Sequence, residues 1–184
     1  MTSILGFLGR KPASDIKEEQ TADGIKLILK PENSTFSGIG IYIIPSDPKV
    51  SFNRNDAANL IQMLAIRFPD KEIAACLGSE ISFVDCGEGL EKINCPNCNK
   101  EIPMEFWQKE MEKAYQNKFS NLNITTPCCG KISNLNNLKY TRDCCFAKFI
   151  LSIQDPDESV LNEVDLLKEL ENKSGYNFRI IHFQ

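Results

Sequence analysis

Histidine occurs once in the 184 residues, as His182, and tryptophan once, as Trp107. Nucleophilic cysteine or serine chemistry needs a nearby base, and only one imidazole is on hand, two residues from the end of the chain. Arginine is limited to Arg10, Arg54, Arg67, Arg142 and Arg179, and the formal net charge is −4. Phosphate contacts depend on concentrated Lys and Arg, so this balance disfavours a polyanion-binding protein. The longest apolar runs, such as Ile41–Ile44 and Phe149–Leu151, fall far short of the roughly 20 residues that cross a bilayer. There is no Walker motif and no dinucleotide fingerprint; Gly87-x-Gly89 is too short to count. Met1–Arg10 carries an apolar patch without a basic lead-in or a small-residue cleavage site, and is not read as a signal peptide.

Cysteine, by contrast, is abundant, with eight residues. Cys95-Pro96-Asn97-Cys98 and Thr126-Pro127-Cys128-Cys129-Gly130 are knuckle-like segments, and they favour a metal over disulfides. Reduced thiols imply an intracellular compartment, and a cytoplasmic protein is expected. Cys95 and Cys98 sit on one tight turn and can face one tetrahedral ion. With Cys128 and Cys129 they make four thiolate ligands, which saturate Zn2+ and leave no place for water, the structural arrangement. Neighbouring side chains usually diverge, so Cys144-Cys145 offers a replacement pair. Cys76 and Cys86 fit inert core positions.

Between the two knuckles, Pro103 suits a first helical turn, and Phe106 or Trp107, Met111, Ala114 or Tyr115, and Phe119 form an apolar stripe. Packing explains Trp107 better than ligand stacking. Outside this region the chain repeats one order of elements. Gly38–Pro45 reads as a strand, Asn55–Phe68 as a helix capped by Asn53 or Asn55, and Glu80–Val84 as a second strand. Then Ala147, Phe149, Leu151 and Ile153 alternate, Val160, Val164, Leu167 and Leu170 mark a helix ending near Gly175, and Tyr176–Phe183 closes the chain. The expected fold is α+β: a ferredoxin-like pair of β–α–β units with an inserted zinc-ribbon-like module. The expected boundaries are a weakly ordered segment over residues 1–35, with Ile25–Leu29 as a short edge strand, and a first half over 36–92. The cysteine module spans 93–145 and the second half 146–184. A three-layer α/β arrangement that also uses Ile25–Leu29 is the alternative.

The Cys-Pro-x-Cys turn, the tryptophan helix, Pro-Cys-Cys-Gly, Leu135–Tyr140 and Phe146-Ala147-Lys148-Phe149 together resemble an uncharacterised family of bacterial cytoplasmic proteins. The resemblance covers about residues 39–184. Members commonly carry a glycine where this chain has Cys145, which implies that Cys144 and Cys145 are not metal ligands and favours Cys128 and Cys129. The family brings no established activity.

No catalytic residue or organic cofactor site is assigned. The leading expectation is a zinc-stabilised protein-interaction or adaptor protein whose partner is another protein, with no membrane association. A nucleic-acid module is the disfavoured alternative; it would use Lys131, Lys139, Arg142 and Lys148 with Tyr140 and Phe146. An enzyme with a thiolate or a carboxylate pair at Asp47 and Asp157 is the other. Asx turns account for those two aspartates more simply.

Overall fold

A computed structural model describes residues 16–85, 90–142, 144–157 and 160–183, so the expectations for Met1–Arg10, Cys86, Gly87 and Gly89 lie outside the described residues. The architecture is mixed α+β, built on a six-stranded sheet. Strands β1 (Lys17–Thr21) and β2 (Gly24–Leu29) form a hairpin, followed by β3 (Gly40–Pro45), helix α1 (Arg54–Arg67) and the long β4 (Ile73–Val84). A cysteine-bearing region holds β5 (Ile93–Asn94), α2 (Met104–Gln116), β6 (Asn123–Thr125), β7 (Ile132–Asn134), a 3-10 turn (Leu135–Asn137) and β8 (Lys139–Tyr140). Strand β9 (Cys145–Gln154), helix α3 (Glu163–Ser174) and β10 (Phe178–Phe183) complete the chain.

The sheet order is β1-β2-β4-β9-β3-β10, and every neighbouring pair is antiparallel. The two strands flanking α1, β3 and β4, therefore lie either side of β9. The alternation anticipated in β9 is present, with Phe149, Leu151 and Ile153 buried and their neighbours half-buried. These three pack with Ile41 and Ile43 of β3, with Leu60, Ile61 and Leu64 of α1, and with Leu166 and Leu170 of α3. Both helices thus cover the same face of the sheet.

The helix ends follow from their residues. Asn53 caps α1, its Oδ1 accepting from the Asp56 amide at 2.9 Å while its Nδ2 donates to the Asp56 carboxylate at 2.7 Å. Asn162 caps α3 in the same way at 3.2 Å, and Gly175 ends that helix in the left-handed region, φ 78°.

Two expectations are corrected here. Residues 17–29 are not weakly ordered: they form a hairpin that extends the sheet, and β2 lies inside β1 rather than at the edge. The tight approach at Gly24 makes this possible, since a Cβ there would stand 2.1 Å from the Leu77 carbonyl oxygen. β4 also begins seven residues earlier than the expected Glu80 start. Its first three residues, Ile73-Ala74-Ala75, are buried between β2 and β9, and small residues suit that crowded position while weakening any strand signal in the sequence.

A buried amide side chain ties the cysteine region to the sheet beside their apolar contacts. Asn136, in the 3-10 turn, accepts from the Phe146 amide of β9 at 3.0 Å and from the Arg179 guanidinium of β10 through the same Oδ1. Its Nδ2 donates to the Ser46 carbonyl at 3.4 Å, just beyond β3. Three strands of the sheet are thereby tied to one turn. Replacing Asn136 by Leu strands the buried Phe146 N–H and the Arg179 donor, which costs about 2–4 kcal/mol of stability. Urea unfolding of N136L followed by far-ultraviolet circular dichroism should show a midpoint lowered accordingly; an unchanged midpoint would contradict this anchoring role.

Candidate metal centre

Two loops of the same backbone design carry the four sulfur atoms. In the first, leaving β5, the Cys95 amide donates to the Lys100 carbonyl and the Asn99 amide to the Cys95 carbonyl, each at 2.9 Å. In the second, joining β6 to β7, the Thr126 amide donates to the Lys131 carbonyl and the Gly130 amide to the Thr126 carbonyl, also at 2.9 Å. Asn99 and Gly130 both adopt left-handed backbone, φ 60° and 67°. Thr-Pro-Cys-Cys-Gly-Lys at 126–131 is thus the structural repeat of Cys-Pro-Asn-Cys-Asn-Lys at 95–100.

This register resolves the difficulty of adjacent Cys128 and Cys129. Cys129 occupies the place of Cys98. Thr126 occupies the place of Cys95, and Cys128 enters from the position of Asn97. Two neighbouring cysteines on a tight turn can converge where they would diverge on a strand or helix. Thr126 is buried; its hydroxyl lies 3.2 Å from Cys129 Sγ and donates to the Lys131 carbonyl at 3.0 Å.

The Sγ atoms of Cys95, Cys98, Cys128 and Cys129 all lie within 4.8 Å of one another, a grouping that can hold a metal ion. Cys98 and Cys128 are 3.3 Å apart and Cys95 and Cys129 3.8 Å. A tetrahedral ion with metal–sulfur bonds near 2.3 Å requires sulfur–sulfur edges of about 3.8 Å, inside this range. Cys95 is buried, Cys98 and Cys128 are half-buried, and Cys129 is exposed. Cys144 and Cys145 are buried in and beside β9, packed with Ile44, Val84 and Ile181, and are not part of the four-sulfur group.

Four thiols this close cannot share one ionisation state. For Cys95, burial opposes ionisation, but the amides of Cys98 and Asn97 and the thiols of Cys128 and Cys98 outweigh it and draw the pKa down to about 6. The Thr126 hydroxyl and the Lys131 amide hold Cys129 low as well. Burial, and then hydrogen bonding to Cys98 and Cys95, push Cys128 up to about 12.

The centre sits on an apolar cluster. Ile93, Ile102, Ala114, Phe119, Leu122, Ile124, Leu135 and Leu138 pack with Cys95 and with Phe146 of β9. Burying an aliphatic or aromatic side chain of this size is worth about 1.5–3 kcal/mol. The cysteine region thus packs on an apolar cluster that it shares with Phe146 of β9 and with Ile81 and Phe83 of β4. Trp107 packs here too: its Nε1 donates to the Tyr140 hydroxyl at 3.3 Å, and its ring meets Phe83 and Tyr140 edge-on.

Other residues singled out in the sequence are dispersed. Asp47 and Asp157 follow antiparallel strands, β3 and β9, whose register pairs Gly40 with Gln154 and Ile43 with Leu151. Their turns thus stand at opposite ends of the sheet, on the order of 30 Å apart at 3.3 Å per residue. Asp47 Oδ1 accepts from the Lys49 amide at 2.9 Å, an Asx turn, and the Asp157 carbonyl accepts from Val160 and Leu161. His182 is exposed and bonds Glu163 Oε1 at 2.8 Å. Phe146 is fully buried, and half-buried Tyr140 donates to the Leu135 carbonyl at 2.7 Å. Cys76, half-buried in β4, has its pKa raised by that burial.

Thr126 and Asn136 were not singled out in the sequence. The offset of 31 that superposes Pro96, Cys98 and Lys100 on Pro127, Cys129 and Lys131 was the available signal for Thr126. For Asn136, inside an Asn- and Leu-rich turn, no local signal exists. Comparison with family models, curated proteins and solved structures finds no match to the chain. No helix among the described residues is long and apolar enough to cross a membrane.

A metal ion bound by all four sulfurs must displace the proton that Cys128 carries at neutral pH. Affinity should therefore rise with pH above 7, roughly tenfold per unit for each proton displaced. Below pH 6, protonation of Cys95 steepens the loss. Competition with a chromophoric chelator from pH 5.5 to 9 measures this slope; a pH-independent affinity would exclude thiolate coordination.

Proposed function

We propose that Cys95, Cys98, Cys128 and Cys129 bind one structural Zn2+, and that the protein is an intracellular adaptor that binds another protein rather than a catalyst. The observation that carries the metal reading is the closed set of four sulfurs on paired knuckles. Four thiolates complete a tetrahedral shell, and the soft donors select zinc over hard cations. The likeness to zinc-ribbon modules rests on the same pair of knuckles. A reducing compartment suits thiols held ready for metal, which supports a cytoplasmic setting. The resemblance to a bacterial cytoplasmic family remains part of this proposal, on the motifs quoted above.

The fold reading belongs here as well. The central order β4-β9-β3-β10, antiparallel throughout, supports two split β–α–β units of ferredoxin-like type, β3-α1-β4 and β9-α3-β10. The cysteine region then falls between the units and packs on the sheet through Phe83 and Phe146. A scaffold whose metal is spent on structure leaves its surfaces for recognition, which is the support for an adaptor role.

Chelation should act locally. Hydrogen exchange of the zinc-stripped protein should show protection lost at the Cys95, Asn99, Thr126 and Gly130 amides, with β3 and β9 unchanged; unchanged knuckle amides would contradict a structural metal. Native mass spectrometry of extract purified under reducing conditions should find the chain bound to a second, different chain. Recovery of the monomer alone would contradict the adaptor role.

A further inference from the structure

β2 covers only half of its neighbour. Its pairing with β4 ends at Gly24 opposite Gly78, and the Ser79 amide closes on the Asp23 carbonyl at 2.8 Å. β4 continues to Val84, paired on its inner side with β9 through Ser82, Phe83 and Val84. Among the described residues, no strand pairs with the outer side of that second half. A large bulge explains the divergence: from Leu77 to Ser82 β4 advances five residues while β9 advances two, from Phe149 to Ala147. The strand thereby leaves the hairpin behind and, among the described residues, keeps an open hydrogen-bonding edge.

Helix α2 runs beside this edge, and the two enclose a groove of about 840 Å³. Ile81 and Phe83 contribute from the strand, and Met111, Tyr115 and Phe119 from the helix. Tyr115 is 71% exposed although its ring rests edge-on against Phe119 at 5.8 Å. The charged residues of the lining are mainly acidic: Asp23, Glu80 and Glu112 against one base, Lys118, which is ion-paired to Glu80. Polyanions and anionic membrane surfaces are repelled by such a rim.

We propose that this groove receives an extended peptide segment of a partner protein, added as a strand along the outer edge of β4. Main-chain hydrogen bonds to residues 80–84 would supply affinity, and alternate side chains would supply specificity. One side of such a segment is apolar and faces Met111 and Tyr115. It carries at least one Lys or Arg opposite Asp23 and Glu112. A segment of five residues spans about 17 Å. The inference rests on the protein-binding reading above and names its site and the chemistry of its partner.

Selection of a phage library of random octapeptides on the full-length, zinc-loaded protein tests it. Enriched peptides should alternate apolar residues and carry a basic one. A synthetic copy should slow amide exchange across residues 81–83. Tyr115→Glu and Glu112→Lys should each weaken its binding roughly tenfold or more, while Ile66→Ala, on the exposed side of α1, leaves it unchanged. Circular dichroism of each variant confirms its fold. No enrichment, enriched peptides that leave residues 81–83 unprotected, or protection of those amides by self-association would each overturn the proposal. A cellular complex that persists with Tyr115→Glu would also overturn it, while leaving the adaptor role intact. Peptide binding in the groove without any cellular complex would support the site and remove the adaptor role.

Discussion

Four sulfur atoms within 4.8 Å of one another set the strongest local constraint in this protein. Like charges at that separation repel by several kcal/mol in a partly desolvated setting, so four thiolates need a cation among them. Without one, the group divides its charge unevenly, with Cys95 drawn toward the thiolate and Cys128 held as the thiol. A divalent ion removes that conflict and makes the four positions equivalent. The backbone is already shaped for this outcome: two turns with matching amide–carbonyl bonds and a left-handed residue at the same place in each. In the second knuckle Thr126 stands where the first has Cys95, and Cys128 supplies the sulfur from the place of Asn97.

The rest of the cysteine region transmits that constraint to the sheet. Cys95 lies in the same apolar cluster as Phe146, and Asn136 fixes the following turn to β9, β10 and the end of β3. A shift of the knuckles would therefore move an apolar cluster and a buried hydrogen-bond hub together. The sheet itself is held by a separate core beneath α1 and α3. A metal held by the four sulfurs, the apolar cluster and the sheet core would thus act in series. Loss of the ion is expected to loosen one end while the other stays folded.

Much of this was legible in the sequence, for reasons that differ by element. The β9 alternation and the α1 stripe obey their periods over enough residues to be unmistakable, and the cap residues Asn53 and Gly175 stand where local chemistry needs them. The grouping of the four cysteines was legible from the Cys-Pro-x-Cys and Pro-Cys-Cys-Gly segments, although Cys144-Cys145 stood as an alternative pair. Three features were hidden. β4 begins in an Ala-rich run whose strand character comes only from its neighbours. Ile25–Leu29 was read as a strand, but its partner β1 is a charged, exposed strand that no hydrophobic pattern marks. The hub at Asn136 is a tertiary arrangement of partners 10, 43 and 90 residues away. Asp47 stands in the Asx turn that the sequence favoured, and the antiparallel register of β3 and β9 puts Asp157 at the other end of the sheet.

The central claim is a single tetrahedral zinc ion held by Cys95, Cys98, Cys128 and Cys129. X-ray absorption at the zinc edge of the purified, reduced protein measures it directly. The expected result is one zinc per chain with four sulfur neighbours at about 2.3 Å and no lighter atom in the shell. A shell containing oxygen or nitrogen, or one with fewer than four sulfurs, would contradict it.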